Sequence, residues 1–497
     1  MATEIELKFR IPPARLAALR RAVATARAEV QPLAAAYFDT PGEHLARARM
    51  ALRLRREGDA WVQTLKAEGA GPLQRLEHNV PVPGTARPTL DIARHDGSAA
   101  GDALRRLLAD AGQPPLQERY ATTVRRTRRL LRSGGAVIEL ALDEGTVQAG
   151  PRSLVLCEIE FELLSGPPQA LLDLAGRWAA RHGLLLDQRS KSELGHTLAA
   201  GLPGSPPTPA RPLRLGRQAD LATARAAMLS NTLRQVLANA SQMAAGPSEA
   251  GHLHQLRVGL RRLRSVLGAC WPADDGGRLV GIQQALTTLF QQTGAARDAD
   301  TLATWLWPAL QAAGAPPLQP AGAPPLQPAP PAAAAADPAQ LLCAPATQQL
   351  WLALIGLALP AGDGASPAAT TGLAGPLAKL WRQVRRDARR FDSLDDAARH
   401  QLRRRIKRLR YLTALSADLW PARPVARLLQ RLKRAQAQLG DFNDTVLALA
   451  HCRALADADP PAWFAVGWLS ARRAALLPAC GEALQHLARA RPPWPGR

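Results

Sequence analysis

EIELKFRI, from Glu4 to Ile11, alternates charged and apolar residues without a break. Successive side chains of a strand point to opposite faces, so Glu4, Glu6 and Lys8 share one face while Ile5 and Leu7 share the other. The same alternation returns in MALRLRRE, AWVQTLKAE, RLEHNVPV, VIELALDEG and SLVLCEIEFELL. It places Arg53 with Arg55, Lys66, Arg75 with Glu77, Glu139 with Asp143 nearby, and Glu158 with Glu160 on the charged side, and Arg126 with Arg128 keep the same spacing. The other side carries Leu52, Leu54, Leu65, Leu76, Ile159 and Phe161. Helices are expected over Pro13–Thr25, Asp102–Ala111 and Pro168–His182. Many antiparallel strands with a few peripheral helices define an α+β domain built on a closed or nearly closed barrel. Closing it with the charges inward lets the helices cover the apolar exterior. The run RRTRR from Arg125 to Arg129 leaves Arg126 open to a one-residue slip that would exchange its inward and outward residues.

A lone ExExK is as often a solvated strand face as a site. The recurrence over six strands favours a polar tunnel, and a tunnel holding both signs is costly unless its charges are shared with a ligand. A triphosphate with a divalent cation meets that requirement, because Arg and Lys grip phosphoryl oxygens while carboxylates hold the cation. No Ser/His/Asp or Cys/His pairing and no GxxxxGK loop stands out, so neither a covalent nor a P-loop mechanism is expected.

The ExExK of Glu4, Glu6 and Lys8, the YFDT of Tyr37–Thr40, the LRLR of Leu52–Arg55, the WVQTLK ending at Lys66, the CEIE of Cys157–Glu160, and Ser190, Lys191 and Gly195 together resemble the CYTH family, the triphosphate tunnel metalloenzymes. The resemblance covers about residues 2 to 200. It implies an eight-stranded antiparallel tunnel that hydrolyses triphosphates with Mg2+ or Mn2+. Carried over residue by residue, Glu4, Glu6, Asp143, Glu158 and Glu160 would hold the metal. Lys8, Arg53, Arg55, Lys66, Arg126, Arg128 and Lys191 would bind substrate, and Glu4, Glu6, Lys8 and Lys66 form the catalytic set. The expected reaction is hydrolysis of inorganic triphosphate to diphosphate and phosphate. The alternatives are a thiamine triphosphatase, an adenylate cyclase of the same family, or a non-catalytic protein of polyphosphate granules.

GLPGSPPTPARP, from Gly201 to Pro212, reads as a linker, which sets domains at 1–200 and 217–488 with 201–216 between them. After it the chain is helical by its Leu/Ala periodicity, apart from a Pro/Ala-rich insert at about 312–338 in which AGAPPLQP occurs twice. His254, Arg257, Arg261, Arg262, Leu263 and Arg264 recur 146 positions later as His400, Arg403, Lys407, Arg408, Leu409 and Arg410. Gly294 and Asp298 recur at the same offset as Gly440 and Asp444, which marks two homologous helical halves. At 100° per residue His254, Arg257, Arg261 and Arg264 fall within about 80° of one another, and so do His400, Arg403, Lys407 and Arg410. HQLRVGLRRLR, GAARDAD, HQLRRRIKRLRY and QLGDFND resemble the CHAD domain over about residues 217 to 488. That resemblance implies an all-helical bundle with two-fold internal symmetry that binds inorganic polyphosphate through those eight stripe residues. Lys407 departs from the first copy's Arg261.

The charge balance agrees: 63 Lys+Arg against 41 Asp+Glu leave a net charge of +22, most of it after Gly216, which draws polyanions. Aromatic residues make up only 4%, too few for base-stacking platforms, so nucleic acid is expected to bind non-specifically at most. The five cysteines show no CxxC pairing, and neither a signal-like segment nor an 18-residue apolar run occurs. A cytoplasmic protein is expected, without a membrane partner and with possible placement at polyphosphate granules.

Overall fold

The computed structural model describes residues 3–68, 74–271, 277–294, 305–315, 337–359, 366–456 and 462–495, with the side chains of residues 3, 4, 68, 74 and 75 excepted. Asp298, Arg75 as a side chain, the side chain of Glu4 and most of the Pro/Ala insert therefore lie outside the described residues. The chain divides into two compact units. Unit 1 comprises Met1–Pro209, Leu233–Leu256 and Ala339–Leu359, and unit 2 comprises Ala210–Thr232, Arg257–Pro338 and Pro360–Arg497.

Unit 1 is an antiparallel sheet of nine strands: β1 (Thr3–Arg10), β2 (Glu29–Asp39), β3 (Ala51–Glu57), β4 (Ala60–Glu68), β5 (Gln74–Val82), β6 (Gln117–Ser133), β7 (Ala136–Ala149), β8 (Arg152–Ser165) and β9 (Leu185–Leu186). Their order is β5-β4-β3-β2-β6-β7-β8-β1-β9, and β1 also pairs with β5. That last pairing spans only Thr3 to Ile5, and the far end of the same edge of β1 pairs instead with β9 through Phe9 and Arg10. The first and eighth strands of the order thus touch over three residues only, so the sheet curls round without closing along its length, against the expectation of a closed barrel, and β9 takes the rest of that edge.

Before the linker, the described helices of this unit are α1 (Leu16–Val23), α2 (His44–Arg47), α3 (Ala99–Asp110), α4 (Pro168–His182) and α5 (Lys191–Ala199), and the unit also takes in the later segments Leu233–Leu256 and Ala339–Leu359. Ser98 caps α3 by accepting from the Gly101 amide, and α4 opens on Pro168 and ends at Gly183 with φ 64°. The apolar strand faces lie under these helices, as alternation requires. Leu52 and Leu65 pack with Ala100, Leu104 and Leu108 of α3. Phe161 meets Phe9 edge-on at 5.7 Å and Trp178 of α4 at 5.9 Å.

The helices after the linker are α6 (Leu221–Ala245), α7 (Ala250–Cys270), α8 (Arg278–Gln292), α9 (Trp307–Ala312), α10 (Pro338–Cys343), α11 (Pro345–Leu357), α12 (Ala369–Arg389), α13 (Asp396–Leu415), α14 (Ala422–Ala456) and α15 (Ala462–Ala488). In unit 2 the apolar positions of the repeat are its core: Val266 of α7 and Leu402, Ile406, Leu409 and Leu412 of α13 share one cluster with Leu428, Leu432 and Leu439 of α14. Asp395 caps α13, accepting from the Ala398 amide at 2.7 Å. Among the described residues, no helix is long and apolar enough to cross a membrane.

Candidate functional site

Strand pairing decides which side chains meet. Lys8 stands opposite Glu160, Glu160 opposite Ala141, and Ala141 opposite Arg128; one step along, Glu158 faces Asp143 and Asp143 faces Arg126. Residues directly opposite in an antiparallel pair project from the same side, so all of these enter one interior. Arg126 also stands opposite Gln31 of β2, which settles the possible slip in favour of Arg126 and Arg128. Glu6, Lys8, Arg53, Arg55, Lys66, Arg126, Arg128, Glu160 and Lys191 all line a cavity of about 700 Å3. Asp143 and Glu158 are buried, at 0% and 5% exposure, and reach the others through ion pairs.

Lys191 is the hub. Ser190 caps α5 by accepting from the Glu193 amide, which fixes Lys191 as the first residue of the helix. Its ammonium lies 2.8 Å from Asp143 Oδ2 and 2.7 Å from Glu160 Oε1, and it also pairs with Glu158. Lys8 contacts Glu158 at 3.1 Å, and Arg126 donates twice to Asp143 at 2.7 Å. The helix can come this close because residue 195 is glycine: a Cβ there would sit 2.1 Å from a ring carbon of Tyr120. Leu194, Leu198 and Ala199 of α5 then pack on Leu33, Tyr37, Tyr120, Val124, Val147 and Leu156.

The charges shift one another accordingly. Burial opposes ionisation of Asp143 and Glu160, yet Lys191 and Arg126 overcome it and hold both carboxyls below their usual range. At Glu158 burial prevails and its pKa rises despite Lys191 and Lys8. The Lys191 ammonium and the Arg126 guanidinium are held well above their ordinary values, the three carboxylates outweighing burial at Lys191, and Glu160, Asp143 and Glu139 doing so at Arg126. Oxygens of Asp143, Glu158 and Glu160 lie within 4.8 Å of one another. Three carboxylates so placed suit a hard divalent cation, which takes oxygen ligands.

Some of the lining was missed by sequence reasoning. Glu162 enters the cavity two residues beyond Glu160 and stands opposite both Glu6 and Glu139, and its pKa is raised by burial and then by Glu139. It shares the alternation that revealed Glu158 and Glu160. Glu77, placed on the charged face by the alternation but given no role there, pairs with Lys66 at 2.8 Å and Arg53 at 3.8 Å. Arg53 also donates to the Tyr37 hydroxyl at 3.4 Å, and Tyr37 stacks on Tyr120 at 4.8 Å. Arg189, which pairs with Asp187 at 2.7 Å, lines the cavity and carried no sequence signal.

In unit 2 the basic stripes of α7 and α13 converge. Arg261 acts electrostatically on both Arg403 and Lys407, and Arg403, Arg410 and Asp444 also act on Lys407. Arg257 donates to Phe290 O at 2.9 Å and Thr293 Oγ1 at 3.3 Å, and Arg403 contacts Asp444 at 3.3 Å. His400 bonds Asn443 on α14. A Cβ on Gly294 would lie 3.5 Å from the Arg257 guanidinium, and one on Gly440 3.8 Å from that of Arg403, so the repeated glycines face the repeated arginines. His254 lies on the stretch of α7 that belongs to unit 1.

A charged-interior antiparallel sheet followed in sequence by a helical repeat with paired basic stripes defines the class: a sheet domain with a charged cavity, then a basic helical domain. The chain carries a CYTH domain at residues 2–194 and a CHAD domain at residues 227–453. It is similar to an inorganic triphosphatase of Haemophilus influenzae, 32% identical over 170 residues, which spans 33% of this chain and 45% of that protein. An uncharacterised protein of Mycobacterium tuberculosis is 27% identical across 97% of this chain and 95% of its own length. Among solved structures, the CHAD domain of Ricinus communis matches 59% of this chain and 100% of its own at 28% identity and TM-score 0.48. A putative adenylyl cyclase of Hippeastrum, described as having a dominant triphosphatase activity, matches 40% of this chain and 96% of its own at 20% identity and TM-score 0.28.

Proposed function

We propose that the CYTH domain hydrolyses inorganic triphosphate to diphosphate and phosphate, and that the CHAD domain binds inorganic polyphosphate. The observation that carries the first part is the cavity of about 700 Å3, lined by cations from β1, β3, β4, β6 and α5 and adjoining a cluster of three carboxylates. The similarity to an inorganic triphosphatase supports it. Among the described lining residues the only Phe, Tyr or Trp is Tyr37, already stacked on Tyr120, so little surface remains to stack a base or a thiazole.

Asp143, Glu158 and Glu160, with Glu4 and Glu6 from β1, are the residues to hold Mg2+ or Mn2+. When bound there, such an ion supplies Lewis-acid polarisation of a phosphoryl oxygen. The chain's own cations do the rest. Lys8, Arg53, Arg55, Lys66, Arg126, Arg128 and Lys191 bind the phosphoryl oxygens and neutralise the charge that spreads over them as water attacks the terminal phosphorus and the bridging P–O bond breaks. Pure protein incubated with tripolyphosphate and Mg2+ or Mn2+ is expected to release phosphate, and Glu4→Gln and Lys66→Ala are each expected to abolish the release. Full turnover in both variants would remove the tunnel assignment. For the CHAD domain, the convergence of Arg261, Arg403, Lys407 and Arg410 supports polyanion binding. Competition between long-chain polyphosphate and DNA at fixed salt tests it: a shaped cradle favours one polyanion, whereas charge alone favours neither strongly.

A further inference from the structure

The internal repeat changes character in α6. At the 146-residue offset, Arg234, Ala238 and Gln242 correspond to Leu380, Val384 and Ala388 of α12. Spaced four residues apart, each set lies along one helix face. In the second copy that face is buried in the core of unit 2. The first copy carries a guanidinium and an amide where its twin is apolar, so it packs against something other than such a core.

Its neighbour is the wall of the charged cavity. From Leu233 onward α6 belongs to unit 1, together with the chain up to Pro209. Arg234 and Ala238 line the cavity of about 700 Å3, and so do Ser205 and Thr208 of the Pro-rich stretch after α5. Polar ties hold the helix in place. Asn239 accepts from the Thr208 amide at 3.1 Å and donates to the Thr208 carbonyl at 2.9 Å. Ser241 accepts from the Gln188 amide at 3.0 Å. Gln242 Oε1 accepts from the Ser205 amide at 3.1 Å and from Arg189 Nη1 at 3.4 Å, while its Nε2 donates to Pro247 O at 2.8 Å. Arg10 of β1 donates to the carbonyls of Ala244 and Ala245. Asn239, Ser241 and Gln242 are buried, so these bonds are withdrawn from water and costly to break. A Cβ on Gly204 would collide with the Gln242 amide, which is why the Pro-rich stretch can lie so close. Gln188 and Arg189 directly precede the Ser190 cap and Lys191, and Lys8 donates to the Arg189 carbonyl. The helix that carries Arg234 is thus bolted to the loop that carries the hub of the charge cluster.

We propose that Arg234 is a substrate-binding residue of this cavity: its guanidinium donates to phosphoryl oxygens of the inorganic triphosphate and adds to the row of cations supplied by the strands and α5. The planar fork of a guanidinium matches two phosphoryl oxygens at once, and a helix tied down by buried bonds holds that fork ready before substrate arrives. The proposal rests on the reading of the cavity as a triphosphate site. It makes hydrolysis depend on a residue of the stretch matched to the CHAD domain, 227–453, and not on the CYTH stretch 2–194 alone.

Steady-state kinetics of the full-length protein on tripolyphosphate with Mg2+ or Mn2+ test it. Arg234→Ala is expected to raise KM about tenfold, the scale of one charged hydrogen bond, with kcat kept within about twofold. Arg234→Lys keeps the charge and is expected to hold KM within about threefold of the unsubstituted protein. The melting temperature of both variants should match that of the unsubstituted protein, since the buried ties run through other residues of the helix. An unchanged KM in Arg234→Ala, a loss confined to kcat, or a rise in KM that Arg234→Lys shares in full overturns the assignment, and each leaves the triphosphatase reading standing. Absence of phosphate release from the unsubstituted protein ends that reading and the assignment together.

Discussion

The tunnel and the cradle are both crowded with Arg and Lys, and they treat those side chains in opposite ways. In the tunnel, Lys191 touches three carboxylates, Arg126 two and Lys8 one, and the pKa values of Lys191 and Arg126 rise. In the helical domain Arg403 meets one carboxylate, Asp444, Arg410 bonds the neutral Gln436 and Arg261 lies over the Phe290 ring, and the pKa values of Arg403 and Lys407 fall, burial leading in both cases. Arg55 is the tunnel's exception, lowered by burial and by Arg53. The difference teaches how the partners should differ. A site with both signs in balance suits a ligand that brings both, a phosphate chain with a cation. A site with unbalanced cations suits an anion alone.

That contrast can be broken at its strongest point first. Glu160→Gln is expected to cut triphosphate hydrolysis by about 10^3-fold, measured as phosphate release, while polyphosphate binding is unchanged. Loss of both, or of neither, would erase the division of labour. Arg403→Ala reverses the pattern: polyphosphate affinity should drop about tenfold, the scale of one charged hydrogen bond, with hydrolysis intact. The slope of log affinity against log salt sharpens the account of the cradle, since Arg261→Ala should lower it by about one counterion.

The smallest expected effect separates two carboxylates that are neighbours on one strand face. Glu160 is held below its ordinary value, so its ionised form stabilises the fold at neutral pH, and that contribution disappears as pH falls through the carboxylate range. Glu158 is raised, so its ionised form costs stability at neutral pH. Glu160→Gln should therefore lower the melting temperature by a few degrees, and Glu158→Gln should leave it level or raise it, by about the same amount. Equal losses in both would show that the two carboxyls share one environment.

Much of this was legible in the sequence because charge alternation is a geometric signal. The strands that alternate plainly, β1, β3, β4, β5, β7 and β8, were expected within a few residues of their bounds, and α4 was expected at Pro168–His182. β2 was hidden. Its inward residues run Gln31, Leu33, Ala35 and Tyr37, and with Ala34 and Ala36 between them both faces are apolar and small. The inward side of β6 was ambiguous until its pairing with Gln31 and Asp143 was seen. About eight strands were expected, and the ninth is a two-residue pairing too short to carry a pattern. Glu162 could have been read from its spacing and was not, whereas Arg189 lies in a loop, where no periodicity marks a direction. In the helical half the 146-residue offset exposed the equivalent positions, but only the structure brings Arg261 beside Lys407 or sets Phe290 under three arginines.

The paired geometry of β8 also limits how this chain can evolve. Glu158, Glu160 and Glu162 reach the interior only because each is two residues from the next, locked between β7 and β1. Inserting a single amino acid between Cys157 and Glu158 would turn Ile159 and Phe161 inward and put three acids under a greasy helical cover. A length change in β8 is therefore tolerable only near its ends, as the register shifts near the end of β2 and the start of β7 are.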